Sequence, residues 1–281
     1  MTPKRDHLFS AMIGLLLLVS SPSIRALTNG VPDTGNTYSN VGAVFAVGPD
    51  GHAIQLCSGT LISPTVFLTV AHCVAYFNSF LAPEGFALYM SFANPIPFLE
   101  LTDVNTLIPV TAIIPNPNYI PANDTHPLTP IHRGDPADLA VIILQAAVTQ
   151  GIAPATLPTA GLLDELSAHN HLQGATFIAV GYGSQDKFFT QSNPLPRMFA
   201  FSTFRAVTPA FLQLSINPAH ENGGACYGDS GGPQFLAVDG TLMLTAINSI
   251  GGDHNCRAMS HNYRVDTTTA RDFLAQFVAL P

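Results

Sequence analysis

Gly228-Asp229-Ser230-Gly231-Gly232-Pro233 is the stretch of this sequence that says most about its fold and chemistry. It places one serine among glycines, and a backbone without Cβ atoms can approach a reacting group closely. A serine hydroxyl is a weak nucleophile at neutral pH, so it needs a base and a carboxylate that orients the base. The stretch therefore directs attention to histidines and acidic residues elsewhere in the chain.

Two other segments offer those groups. Residues 68–73 carry His72 directly after an apolar strand pattern, and Asp138 begins the apolar run over residues 138–144. An imidazole, with an unperturbed pKa near ~6.5, suits a group that accepts a proton and returns it. Asp135 is the near competitor of Asp138, but its Gly-Asp-Pro setting is typical of a turn. His72, Asp138 and Ser230 are therefore the predicted catalytic residues.

The order of these motifs and their flanking residues resemble the chymotrypsin/trypsin-like serine peptidases. The resemblance extends from about residue 27 to the C-terminus. It implies an all-β fold of two antiparallel six-stranded β-barrels with a C-terminal helix. It also implies a serine endopeptidase that forms an acyl-enzyme intermediate on protein or peptide substrates, with protein inhibitors as further partners. A catalytically silent binding protein of this fold and an esterase with the same triad are the alternatives.

The resemblance divides the chain into four parts. Residues 1–26 form a signal peptide, and residues 27–144 form the barrel that carries the histidine and the aspartate. Residues 145–158 connect the barrels, and residues 159–281 form the barrel that carries the serine, with the helix at its end.

Composition agrees with an all-β chain that has no nucleic-acid partner. Its 281 residues can bury a large core, and 22 Gly and 23 Pro interrupt it often, as in proteins with many short strands. The net charge of -8, without a basic cluster beyond Lys4-Arg5, argues against binding nucleic acid or an anionic membrane. We expect a monomer that uses no cofactor.

The N-terminal segment has the pattern of a secretory signal. Lys4 and Arg5 precede an apolar stretch over residues 8–19, and the small residue Ala26 suits a cleavage site. The stretch is shorter than the ~20 apolar residues that span a bilayer, which argues against stable membrane insertion. An uncleaved anchor is the alternative. We expect a secreted, extracellular protein whose mature chain begins at Leu27.

Four cysteines in a secreted chain predict two disulfides, for which three connectivities exist. The resemblance selects Cys57 with Cys73 and Cys226 with Cys256. Closing the shorter loop should contribute about 3 kcal/mol and hold the neighbouring base in place.

The resemblance also assigns roles near the serine. The N–H groups of Gly228 and Ser230 form the oxyanion hole, and Asp229 pairs with a new amino terminus at Leu27. The implied base of the specificity pocket, at Gly224, carries no acidic side chain, which departs from the trypsin pattern, so a small or apolar residue is expected before the scissile bond. The implied pocket residues are Gly224, Ala225, Ser249, Ile250 and Gly251.

The remaining motifs have ordinary explanations. The pairs His126/His132 and His169/His171 lack the accompanying ligands of a metal site, so we expect exposed histidines and no metal. Asn123 begins a glycosylation sequon in a predicted loop over residues 115–136.

Periodicity predicts strands over residues 41–47, 53–57, 59–70 (two strands), 105–114, 175–183, 241–250 and 262–265, and a helix over 267–280.

Overall fold

The structure is a computed structural model that describes residues 27–97, 107–121, 134–148, 151–184 and 194–281. The predicted signal peptide, the sequon at Asn123 and the pair His126/His132 lie outside these ranges. The strands are β1 (Val31–Pro32), β2 (Val41–Val47), β3 (Ala53–Ser63), β4 (Val66–Thr69), β5 (Ala87–Ser91), β6 (Ile108–Pro115), β7 (Ala140–Leu144), β8 (Thr176–Gly181), β9 (Met198–Val207), β10 (Phe211–Ser215), β11 (Pro233–Val238), β12 (Thr241–Gly251) and β13 (Met259–Arg264). The α-helices are α1 (Ala71–Tyr76), α2 (Leu162–Ala168) and α3 (Thr268–Leu274).

Six strands close the first barrel, in the order β2-β3-β4-β7-β6-β5, with every neighbouring pair antiparallel. Strand β2 is buried along its whole length. Val41 and Val44 belong to the main core, whereas Phe45 packs in a second cluster with Tyr182 and Leu195. A strand buried on both faces has a continuous apolar sequence, which is why residues 41–47 show no polar alternation.

The second barrel closes through β8-β9-β10-β13-β12-β11, and β11 pairs back to β8. The short β1 adds to the edge of β9. The expectation of two antiparallel six-stranded barrels is therefore confirmed. The predicted strands match β2, β4, β6, β8, β12 and β13, the apolar run over residues 138–144 contains β7, and two predicted strands merge in β3. The elements β1, β5, β9, β10, β11 and α2 were not predicted.

Strand pairing in the first barrel brings two distant sequence motifs together. Strands β4 and β7 are antiparallel, and Thr69 at the end of β4 faces Ala140 at the start of β7. The chain leaves β4 into α1, which carries His72, and enters β7 from Asp138. Because antiparallel neighbours place the end of one strand beside the start of the next, these two side chains lie at the same barrel edge.

A buried arginine joins the N-terminal segment to both barrels. Arg197 is fully buried and its Nε lies 2.9 Å from Asp33 Oδ2. Its Nη1 donates to Val41 O of β2 at 3.1 Å and to the hydroxyl of Tyr182 at 3.0 Å. Since a buried guanidinium needs a counter-charge and acceptors, these contacts fix the N-terminal segment and the two barrels relative to one another.

The C-terminal helix is shorter than predicted. Thr267 caps α3 by accepting a hydrogen bond from Ala270 N at 3.3 Å, and the α-helix ends at Leu274. Beyond it, Phe277 N donates to the carbonyl three residues back at 2.9 Å, which tightens the last turn. The Phe273 and Phe277 rings remain 5.2 Å apart, so the predicted apolar spacing persists without a regular helix.

No helix in the described ranges combines the length and the apolar character that crossing a membrane requires.

Candidate active site

His72 and Asp138 form a doubly hydrogen-bonded pair. His72 Nδ1 lies 2.9 Å from Asp138 Oδ2, and the backbone N–H of His72 donates to Asp138 Oδ1 at 2.9 Å. Asp138 is 3% exposed, whereas the imidazole retains 34% of its side-chain exposure. Because Nδ1 is occupied, Nε2 is the ring nitrogen available for proton transfer.

The electrostatics of the pair favour an ionised carboxylate. Burial alone would raise the pKa of Asp138, but the charge of His72 and the hydrogen bonds from His72 and Ser249 lower it overall. The Ser249 hydroxyl donates to Asp138 Oδ2 at 2.6 Å. Burial alone would lower the pKa of His72, yet the Asp138 charge and hydrogen bond outweigh burial and raise it. The imidazole is therefore a stronger base than in free histidine.

Asp135, the competing carboxylate, supports the turn before Asp138. Its Oδ1 accepts from Ala137 N at 2.9 Å and from the Tyr263 hydroxyl at 2.8 Å. Ala137 has a φ of 49°, a left-handed conformation that a non-glycine residue adopts only when its surroundings hold it. Tyr263 belongs to the second barrel, so a phenol from one barrel holds the turn of the other. Asp138 is the carboxylate that meets the histidine.

Ser230 lies on a loop that is hydrogen-bonded to strands of both barrels. Its carbonyl accepts from Ser58 N of β3 at 2.9 Å. Gly231 N donates to Asn248 O of β12 at 2.8 Å, and Asn248 Nδ2 donates to Asp229 O at 3.0 Å. The nucleophile position is therefore fixed by backbone contacts on both sides.

Gly228 takes a conformation that requires glycine. Its φ is 84°, and a Cβ there would lie 2.6 Å from Gln55 Oε1. Tyr227 O accepts from Ser184 N at 2.6 Å, so in a trans peptide the N–H of Gly228 points the opposite way. Gln55 Nε2 and Ser58 Oγ each donate to Gly228 O at 3.0 Å. These contacts set both peptide planes that flank Gly228.

A cavity of about 930 Å³ collects the predicted site residues. His72, Gly228 and Ser230 line it together with four of the five implied pocket residues, Ala225, Ser249, Ile250 and Gly251.

Gly224 lies behind this lining, with Ile216 occupying the place that a side chain at Gly224 would take. Ser260 and Asn262 of β13 also line the cavity, and the sequence analysis did not identify them. Ser260, His261 and Asn262 are consecutive polar residues without alternation, so local sequence gives no signal for this placement, which depends on the shifted pairing of β13 with β12 between Asn248 and Ile250.

Asp229 is a fully buried carboxyl held by backbone donors. Its Oδ1 accepts from Gly183 N at 2.8 Å and its Oδ2 from Cys226 N at 2.9 Å. Burial raises the pKa of Asp229 to about 8, since the two N–H donors offset only part of the lost hydration. In the uncleaved chain this group is a weak acid that favours its neutral form.

Leu27 packs against β8, the strand whose last residue, Gly181, faces that carboxyl. It is fully buried in a cluster with Ala179 and Met198, and Ala179 lies two residues from Gly181, whose Cα faces Asp229 Oδ1. The next residue is anchored by a two-way backbone pairing, 2.9 and 3.0 Å long, between Thr28 and Gly224. The segment that starts at Leu27 is thus tied to the loop that carries the serine.

Both disulfides have the expected pairing. Cys57 joins Cys73 with a Cα–Cα distance of 6.5 Å, and Cys226 joins Cys256 at 5.4 Å. The first links β3 to the helix of His72, and the second links the serine loop to the segment after β12.

The structure offers little to a metal ion within the described residues. The group whose ligand atoms lie within 4.8 Å of one another is Cys57, His72 and Cys73, but both sulfurs belong to a disulfide. His169 and His171 are exposed with ring centroids 5.8 Å apart, and His169 Nδ1 lies 2.9 Å from Glu165 O. These contacts do not assemble a donor set for a cation.

Comparison with known proteins assigns the family. The family model described as Trypsin matches residues 37–273, and the chain therefore belongs to the trypsin family of chymotrypsin-like serine peptidases. Clotting factor C of Tachypleus tridentatus is 26% identical over 222 residues, covering 71% of this chain and 20% of that protein. Vitamin K-dependent protein C of Rattus norvegicus is 27% identical over 209 residues, covering 69% and 40%. Trypsin of Simulium vittatum is 27% identical over 200 residues, covering 68% and 69%.

The chain thus spans a fifth of the length of clotting factor C and two fifths of that of protein C.

Proposed function

We propose that this chain is a secreted serine endopeptidase that hydrolyses peptide bonds with Ser230, His72 and Asp138. The observation that carries the proposal is the His72–Asp138 pair, which shares one open cavity with Ser230. A buried, oriented carboxylate, a basic imidazole and a hydroxyl at a glycine-lined turn are the parts that acyl transfer needs.

The proposed reaction has two halves. His72 Nε2 takes the hydroxyl proton of Ser230 while its Oγ bonds to the substrate carbonyl carbon. The C–N bond then breaks, His72 gives the proton to the leaving amine, and an acyl ester remains on Ser230. In the second half His72 deprotonates a water that attacks the ester, and the proton returns to Ser230 Oγ as the carboxylic acid leaves.

The N–H groups of Gly228 and Ser230 are proposed to bind the oxygen that becomes negative. The support is the orientation of the peptide group between Tyr227 and Gly228. Its carbonyl, Tyr227 O, accepts a hydrogen bond from Ser184 N at 2.6 Å, so its N–H points the opposite way. Removing one such donor typically lowers the rate ~100- to 1,000-fold.

We further propose that cleavage before Leu27 activates the enzyme. A free ammonium at Leu27 would supply the cation that Asp229 lacks among its hydrogen-bond partners, and would stabilise the ionised carboxylate beside the oxyanion site. Sequencing the N-terminus of the secreted protein is the test. A mature chain that starts anywhere other than Leu27 contradicts this proposal.

The pocket is proposed to disfavour lysine and arginine before the scissile bond. Its walls at Ala225, Ser249, Ile250 and Gly251 carry no charge, and Gly224 has no carboxylate. Buried cations need a counter-charge, so these uncharged walls favour uncharged side chains.

A fluorophosphonate probe tests the proposal as a whole. The folded mature protein should be labelled at Ser230, and the Ser230→Ala and His72→Ala variants should not. Turnover of a peptide amide panel and of matched esters then separates a peptidase from an esterase. A folded wild type that is not labelled would instead indicate a silent binding protein.

A further inference from the structure

The cavity has a polar floor made by β13. Ser260 and Asn262 both line it, and they are only 3% and 0% exposed. Small or apolar residues would suffice to floor a pocket that receives an apolar side chain. Two buried polar side chains at this position point to a ligand that makes hydrogen bonds.

The direction of these hydrogen bonds is determined by a backbone carbonyl. Asn262 Nδ2 donates to Leu212 O at 3.1 Å and to Ser260 Oγ at 3.0 Å. A carbonyl oxygen only accepts, so the amide nitrogen must face Leu212 and the Ser260 oxygen must accept. The Ser260 proton is left to donate elsewhere, and among the described residues it has no acceptor.

A hydrogen bond to the carbonyl oxygen of Asn262 prevents its carboxamide from rotating by 180°. Gln234 Nε2 donates to Asn262 Oδ1 at 3.3 Å and to Asn248 Oδ1 at 2.8 Å. Asn248 in turn donates to Asp229 O at 3.0 Å, and this carbonyl fixes its orientation too. Donation therefore starts at Gln234 and runs two ways, through Asn248 to Asp229 O and through Asn262 to Ser260 Oγ.

We propose that Ser260 donates a hydrogen bond to an uncharged, acceptor-bearing side chain before the scissile bond, with the carboxamide of glutamine or asparagine as the preferred class. This inference rests on the proposed peptidase function. It replaces the small or apolar residue expected from the pocket walls, because an apolar group would leave the buried hydroxyl of Ser260 without an acceptor.

The charged groups near the floor disfavour the charged alternatives. Within the described part of the chain no lysine or arginine lines the cavity, so a substrate carboxylate would meet no permanent cation there, only neutral donors and the exposed His254 at the lining. Asp253 lines the cavity, but its Oδ2 accepts from Arg257 N and Ala258 N at 3.0 and 2.7 Å. A substrate ammonium would therefore compete with the loop's own backbone, and Ser260 would offer it a donor.

The test is a series of peptide amides that differ only in the residue before the scissile bond. Gln, Met, Glu and Lys have side chains of similar length. Comparing Gln with Met tests the hydrogen-bond acceptor, and comparing Gln with Glu and Lys tests charge. We expect kcat/KM for Gln to exceed that for Met by about 30-fold, since a site built for a hydrogen bond rejects an analogue that lacks it. The Ser260→Ala variant should lose about 30-fold on Gln and stay within about 3-fold on Met.

Ser215→Ala is the matched control. Ser215 is buried in the same barrel, and its Oγ accepts from Asn222 Nδ2 at 3.2 Å, as Ser260 accepts from Asn262, but Ser215 does not line the cavity. It should lose stability without changing the ratio of Gln to Met.

The readouts separate two failures. A folded wild type without fluorophosphonate labelling contradicts the peptidase proposal itself. A labelled wild type that cleaves after Met, Glu or Lys at least as well as after Gln overturns the pocket inference alone, and this comparison needs no variant. An equal loss on Gln and Met in Ser260→Ala also overturns it.

Discussion

The two halves of the candidate site are held in place by different means. His72 and Asp138 lie at the edge of one barrel, where Thr69 pairs with Ala140 and the two side chains bond each other directly. The loop of Ser230 depends on glycine conformations, a disulfide, buried amides and a fully buried carboxyl. The first half is set by strand pairing over an apolar core, whereas the second is set by buried polar groups.

This difference indicates which half of the site is sensitive to pH. Hydrophobic burial does not respond to pH, and a buried carboxylate with a lowered pKa stays ionised over the neutral range. A buried carboxyl with a raised pKa changes charge within that range. The packing of the histidine half should therefore change little with pH, although His72 itself titrates, whereas the stability of the serine half should respond to pH and to the N-terminal segment. Four experiments can break or sharpen this comparison.

The largest effect is expected from Asp138→Asn in the first half. The variant removes the charge that raises the pKa of His72 and disturbs its tautomer, so kcat should fall about 10,000-fold while the fold persists. Asp135→Asn is the control, because its Oδ1 can still accept from Ala137 N and the Tyr263 hydroxyl. It should change kcat by less than about 5-fold. Comparable losses in both variants would mean that the roles of the two carboxylates are not separate.

The sequence was sufficient for the first half because each of its groups lies beside a strand with a clear apolar pattern. His72 follows β4 and Asp138 precedes β7, so two local motifs and antiparallel pairing place them together. The pocket floor was not predictable in this way. Ser260 and Asn262 reach the cavity only through the shifted pairing of β12 with β13, and Gly224 is withdrawn behind Ile216 by packing. Such placements depend on long-range register, which local patterns do not encode.

Gly228→Ala tests the backbone of the second half. The new Cβ would lie 2.6 Å from Gln55 Oε1 at a φ of 84°, so the peptide that carries the Gly228 N–H must turn. We expect kcat to fall about 100-fold or more with little change in KM. Gly240→Ala is the control, because Gly240 has a φ of 76° with no atom within 4 Å of the added Cβ. Gly240→Ala should lose about 1 kcal/mol of stability from backbone strain alone and Gly228→Ala more because of the added clash, but only Gly228→Ala should lose rate.

Asp229 should make the uncleaved chain less stable as pH rises. Its pKa is raised from 3.8 to about 8 by burial, so between these values the folded state binds more protons than the unfolded state. The free energy of unfolding then falls with pH, by about 3 kcal/mol from pH 5 to pH 7 from this group. Urea unfolding of wild type and Asp229→Asn at each pH isolates this contribution, since all other groups are shared. Parallel pH curves for the two proteins would show that Asp229 does not titrate as proposed.

The smallest effect is expected where the two halves meet, at Tyr263→Phe. The lost hydroxyl donates to Asp135 at 2.8 Å and so helps hold Ala137 at its φ of 49°, one residue before Asp138. A looser Asp138 would raise the pKa of His72 less. We therefore expect the acid limb of the pH–rate profile to move to lower pH, with kcat down about 5-fold, KM nearly unchanged and stability down about 1 kcal/mol. In an Asp135→Ala background the same substitution should not move the acid limb or kcat further, because the contact that links Tyr263 to the turn before Asp138 is already gone. Additive losses, or a lower rate with an unmoved acid limb, would show that Tyr263 only stabilises the fold and that the serine half does not position the carboxylate of the histidine half.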